Sequence, residues 1–216
     1  MENLYENIYV YVLDTLADWE LGYVTSELKS GRFFKKDSQR IDLKTVSHTK
    51  KPIHTMGGLT ITPDCLIEDI NLNKTSVLLL PGADTWNEPE HINIIEKAKE
   101  LLTLGAAVCA ICGATTALAD VGLLDKRLHT SNGIGYLEMF SPYYKGQDFY
   151  IDKPAVKDQN LITASSSGAL LWAKQIIEHL DVFQMNTLEY WYQYFRTGEP
   201  QYFFALMQSL PTITQK

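Results

Sequence analysis

The stretch that decides the reading is Ala107–Asp120, AVCAICGATTALAD. Ala107 to Ile111 is apolar without a break and predicts a short buried strand. Cys112, Gly113 and Ala114 follow, and a helical pattern runs from Thr115 to Asp120. Strand, sharp turn and helix with a cysteine at the apex is the layout of a nucleophile elbow. Small neighbours suit it, because side chains beside the apex would crowd the turn. The helix N-terminus just beyond offers unpaired N–H groups and a partial positive charge, which favour a thiolate. The competing reading is a structural cysteine at a strand end, since free cysteines are commonly buried and inert.

Outward from the elbow, strands alternate with helices. Ile8–Leu13, IYVYVL, predicts a central strand covered on both faces. Leu21, Val24 and Leu28 then recur at helical spacing, with Asp18 as the expected N-cap and Gly31 as the stop. Ile41–Thr49 is a weaker strand. His54–Thr62, with Gly57-Gly58 inside it, predicts a hairpin. Val77–Leu80 predicts a buried strand cut off by Pro81-Gly82, and Ile92–Leu104 a helix ending before Gly105. Tyr136–Tyr144 is aromatic and ambiguous. Ala155–Val156 and Leu161–Ala164 flank a turn and suggest a second hairpin, and Leu170–Leu180 is an amphipathic helix. The expected fold is an α/β sandwich with a mostly parallel sheet. Ligands of such sheets sit outside the carboxyl ends of the strands, where Asp14–Glu20, Pro81–Trp86 and Cys112–Thr115 all fall.

Composition sets the outer bounds. The 216 residues suit one domain with an added element. A net charge of −7 with no basic block argues against nucleic acid. No apolar run is long enough to span a membrane. Met1–Glu6 is not a basic n-region, and Ile8–Leu13 is too short and Tyr-rich for a signal h-region. Cys65, Cys109 and Cys112, an odd number, make no disulfide framework, so a reducing, cytoplasmic compartment is expected. The spacing of Cys109 and Cys112 is that of a redox pair, but Cys109 lies inside the apolar run and reads as a core thiol. His48, His54, His91 and His179 are scattered, so no metal is expected, and no nucleotide or other cofactor motif occurs.

Glu20 at the first helix start, Leu-Leu-Pro-Gly at 79–82, Ala110-Ile111-Cys112-Gly113, Gly122-Leu123-Leu124 and Leu161–Ser165 stand in a specific order. This order resembles the ThiJ/PfpI superfamily, relatives of the class I glutamine amidotransferases, over roughly Ile8 to Leu180. The resemblance implies a flavodoxin-like three-layer α/β/α sandwich over residues 1–182 and a homodimer. Residues 183–216 form an aromatic helical extension, expected to pack on the same domain with the dimer formed elsewhere; packing on a partner is the other possibility. Cys112 is then the reactive cysteine and Glu20 the acid that meets it. The oxyanion and pocket residues are Gly82, Ala83 and Gly113, with Trp86 on the pocket lip or closing its loop at the surface.

Apart from the resemblance, Glu20 also reads as a carboxylate placed in a first helical turn for the dipole. Where relatives carry two glycines, Ala83 is the second residue here. Peptidase-like members carry His after the cysteine; here that residue is Gly113. The usual downstream His position matches Ser131, two residues beyond His129. His129 either faces the cleft at the wrong depth or is bonded to backbone. The expected function is reaction of Cys112 with small electrophilic or amide-type molecules, or with an oxidant. The rival is a non-enzymatic redox sensor or small-molecule binding module that kept the elbow and lost the base.

Overall fold

The computed structural model describes residues 5–71 and 73–210. Met1–Leu4, the start of the stretch compared with a signal n-region, and 211–216, the end of the expected extension, lie outside them. Seven strands form the main sheet: β1 (Tyr5–Tyr11), β2 (Arg40–Ser47), β5 (Cys65–Leu66), β6 (Val77–Leu80), β7 (Ala107–Ile111), β8 (Ala155–Asp158) and β9 (Leu161–Ala164). Their order is β5-β2-β1-β6-β7-β9-β8, parallel throughout except for β8. The helices are α1 (Asp18–Ser30), α2 (Ile92–Leu104), α3 (Ala114–Asp120), α4 (Tyr136–Phe140), α5 (Ala169–His179), α6 (Met185–Thr197) and α7 (Pro200–Ser209). The short pair β3 (Ile53–His54) and β4 (Thr60–Ile61) is the expected first hairpin. The second is also a hairpin, β8–β9, but it lies within the main sheet: β9 pairs with β7 and carries β8 to the edge.

Sheet order explains where a site can form. From β1 the chain crosses through α1 to β2 on one side; from β6 it crosses through α2 to β7 on the other. Right-handed crossovers in opposite directions place α1 and α2 on opposite faces. The crevice at this reversal lies between the carboxyl ends of β1 and β6, with β7 next to them. The central strands are buried on both faces, which is why VLLL and AVCAI read as unbroken apolar runs.

Two local expectations shift. Asp18 does not cap α1; Ala17 holds the N-cap position, and the Asp18 carboxylate accepts the Gly57 N–H at 2.6 Å, tying the β3–β4 hairpin to the helix start. Helix α1 ends as expected at Gly31, φ 60°. The aromatic tail covers its own chain through α6. Trp191 is fully buried and its indole N–H donates to Glu27 Oε1 at 3.0 Å, while Phe183 packs edge-on to Phe33 and Trp191. Lys174 on α5 pairs with Glu189 on α6 at 2.6 Å. On α7 only Leu206 is buried, and Phe204 stays exposed.

Candidate active site

Strand β7 delivers Cys112 to the crevice in a strained conformation. Its φ is +57°, the left-handed region that costs a non-glycine residue about 1–3 kcal/mol. The Cys112 N–H still donates to Ala164 O at 2.9 Å, so the backbone is held by β9 while the thiol turns outward. Of the three free cysteines, Cys65 and Cys109 are buried and Cys112 is half-buried.

Helix α1 brings Glu20 to the same place. The carboxyl is fully buried, and Oε2 accepts the Gly82 N–H at 2.6 Å. Its neighbours include Cys112 and Ser166. Close packing explains the glycine at 82: a Cβ there would lie 2.7 Å from Cys112 Cβ and 2.8 Å from Glu20 Oε2. Gly113 is needed for the same reason, since its Cβ would lie 2.8 Å from Ala83 O.

Burial pushes the Glu20 carboxyl above the ordinary carboxylate range, against the opposing pull of the Gly82 N–H and of the neighbouring Cys112 and Ser166. Burial also pushes the Cys112 thiol up, and the neighbouring Glu20 charge adds to this, while Asn132 and the Gly113 N–H lower it. The expected pull of the α3 N-terminus toward thiolate is therefore outweighed by burial. Two acids in contact, both raised, retain a proton between them at neutral pH.

Several expected residues stand elsewhere. His129 is fully buried and closed off: Nδ1 faces Arg127 O and Nε2 faces Tyr144 Oη, each at 2.7 Å. Neither nitrogen is left to serve Cys112, so His129 is a core histidine. Ser131 is hydrogen-bonded to Thr115 Oγ1 at 2.6 Å. Trp86 lies against Gly113, where a Cβ would come 3.5 Å from its ring. It is buried, donates its indole N–H to Pro81 O at 2.8 Å, and packs on Tyr11 and His91. The Gly82 N–H is taken by Glu20. Ala83 N–H has no hydrogen bond among the described residues, which leaves it and Gly113 N–H as the backbone donors near the thiol.

What the sequence reading missed is Asn132, Ser166 and Trp19. Asn132 Nδ2 donates to Cys112 Sγ at 3.2 Å, and Asn132 Oδ1 accepts the Ser166 N–H at 2.8 Å. An open groove at this point is lined by Trp19, Asn132, Ser165, Ser166 and Ser167. Trp19, immediately before Glu20, was the available signal: a large aromatic at a helix start, 53% exposed.

The DJ-1/PfpI family matches residues 6–179. The chain belongs to this family. A Bacillus subtilis relative named an uncharacterized protease, YoaZ, is 44% identical over 94% of this chain and 97% of its own length. A deglycase of Pyrococcus furiosus is 27% identical over 57% of this chain and 73% of its own. Among solved structures, a ThiJ/PfpI family protein of Bacillus anthracis matches with a TM-score of 0.93 at 44% identity, covering 97% of this chain and 99% of that one. A DJ-1 superfamily protein of Agrobacterium tumefaciens matches at 0.77 and 25% identity, covering 89% and 98%. This DJ-1/PfpI chain thus has relatives named both protease and deglycase. Among its described residues no helix is long and apolar enough to cross a membrane, and no three His, Cys, Asp or Glu side chains group as a metal site.

Proposed function

We propose that the protein is a cysteine-dependent enzyme acting on small electrophilic carbonyl compounds, with amide-type molecules as the neighbouring substrate class. The contact between Cys112 and the buried Glu20 carries this reading. In the first step Cys112 Sγ bonds to the carbonyl carbon and the thiol proton passes to Glu20. The C=O π electrons move onto oxygen, and Glu20 returns the proton there, giving a hemithioacetal with no atom gained or lost. Gly113 N–H and Ala83 N–H are the donors available to the developing oxyanion. A Cys–His peptidase mechanism has no such support, because both nitrogens of His129 are engaged. The working form is a cytoplasmic homodimer with a small-molecule substrate.

A second reading is a redox sensor. Donors aimed at Sγ from Asn132 and Gly113 suit the oxygens of a cysteine oxidised by a peroxide. One panel separates the two: glyoxals, isonitriles, amides and peptides, offered to the wild type and to Cys112→Ser. Turnover of a glyoxal that Cys112→Ser abolishes supports the enzyme. Absence of turnover, with stoichiometric oxidation of Cys112 by peroxide, supports the sensor. A Cys112 inert to both overturns both.

A further inference from the structure

Four residues meet in the cleft. Cys112 touches Glu20, Glu20 faces Ser166, the Ser166 N–H reaches Asn132, and Asn132 returns to Cys112. Asn132 lies two positions beyond Thr130 and three beyond His129 on the segment that follows α3. Its side chain is exposed. An exposed asparagine ordinarily samples several rotamers and both amide orientations. Here one partner removes that freedom. A backbone N–H can only donate, so the atom 2.8 Å from Ser166 N must be the amide oxygen. The NH₂ group is then left facing the thiol, 3.2 Å away. The sulfur therefore meets a donor that neither gains nor loses a proton.

We propose that Asn132 is a catalytic residue that holds the Cys112 thiolate by an N–H···S hydrogen bond, and that Ser166 is a positioning residue whose backbone N–H sets the orientation of that amide. The inference rests on the reading of Cys112 as the nucleophile. Its consequence is a division of labour in the cleft: Glu20 takes and returns the proton, and Asn132 steadies charge on sulfur. The titratable groups facing Cys112 are Glu20 on α1 and Tyr136 on α4, whose hydroxyl also faces Asn132. Asp84 lies near Tyr136.

The backbone around Ser166 allows a clean test. Ser165 is extended at φ −77° and ψ 161°, and Ser166 opens a 3₁₀ turn. A residue before proline prefers such an extended conformation, and proline is favoured at the first position of a helical turn. Ser166→Pro thus removes the N–H with the backbone in place, and Ser166→Ala keeps the N–H while removing the hydroxyl. The readouts are thiolate absorbance against pH and the rate of iodoacetamide labelling of Cys112, neither of which needs a substrate. Asn132→Ala is expected to slow labelling at neutral pH about tenfold, the ratio set by one pKa unit. Asn132→Asp, which substitutes an acceptor and a charge, should slow it further. Ser166→Pro should approach Asn132→Ala, Ser166→Ala should fall well short of it, and Ser166→Pro should add nothing in the Asn132→Ala background. Circular dichroism and melting temperature show whether each variant is folded, and Asn132→Gln serves as a second test if Asn132→Ala unfolds, since a longer amide cannot meet both partners. Titration of folded Asn132→Ala identical to wild type would overturn the proposal even where Cys112→Ser abolishes turnover. Additive effects of Ser166→Pro and Asn132→Ala would overturn the positioning role alone. Failure of the enzymatic reading would appear separately, as absent turnover with the thiol coupling intact.

Discussion

Residues 127–132 run past two polar clusters that differ in one respect. Around His129 every polar atom is closed. Both ring nitrogens have partners, the N–H donates to Phe149 O, and the C=O accepts the Ile151 N–H. Around Cys112 the polar groups are left open or strained. Glu20 Oε1 lacks a partner among the described residues, Ala83 N–H is unused, and the cysteine backbone sits at positive φ. A buried polar group that is satisfied contributes to stability, while one left unsatisfied costs stability and remains available for chemistry. Three residues apart, one histidine is a fastening and one asparagine reaches the thiol.

The widest separation between the two clusters is expected from His129→Ala. It removes two hydrogen bonds, orphans Tyr144 Oη and opens a cavity, at a cost of about 3 kcal/mol. Chemical denaturation should register this, while labelling of Cys112 in the folded protein stays at the wild-type rate. Slower labelling would make the two clusters one unit.

A smaller effect is expected at Gly82→Ala. The added Cβ meets Cys112 and Glu20 below van der Waals distance, and such overpacking costs about 1–3 kcal/mol. Its signature is a changed thiol titration together with the lost stability. An unchanged titration would mean that the cleft relaxes without moving the pair.

Finest of all is the pH dependence of Glu20→Gln. A carboxyl with a raised folded-state pKa binds more protons folded than unfolded, so it lowers stability as pH rises from the ordinary carboxylate value through the raised one. Below that window the Glu20 contribution is fully favourable. Glu20→Gln should therefore gain stability relative to wild type as pH rises, and the gain should vanish in acid. A difference of the opposite sign would mean that Glu20 is held as a carboxylate by Gly82 and Ser166.

The sequence was most legible where burial is two-sided. VLLL and AVCAI admit little but central strands, and Leu170–Leu180 has a single apolar stripe. From these the α/β order and the place of Cys112 at a strand end follow, whereas the pairing of Glu20 with Cys112 was implied only by the family resemblance. Trp86 showed the limit of residue type: an aromatic in a loop gives no sign of facing inward until Tyr11 and His91 are seen around it. Asp18 misled because the Gly57 amide, 39 positions away, competes with the cap. Asn132 and Ser166 were illegible for a like reason. They are polar, lie on no periodic face, and meet across 34 residues through one amide and one carbonyl oxygen. The departure at Ser131 was visible, but that a neighbouring asparagine would approach the sulfur was not.

Glu20 and Glu27 lie seven residues apart on α1. Seven residues of α-helix return to within about 20° of the starting direction. One carboxylate is fixed by Gly82 at the crevice, and the other by Trp191 of α6 and by Arg32. Helix α1 is thus held against rolling about its own axis at two points about 10 Å apart along it. The aromatic extension, remote from the thiol in sequence, thereby acts as a torsional stop for the helix that aims the acid.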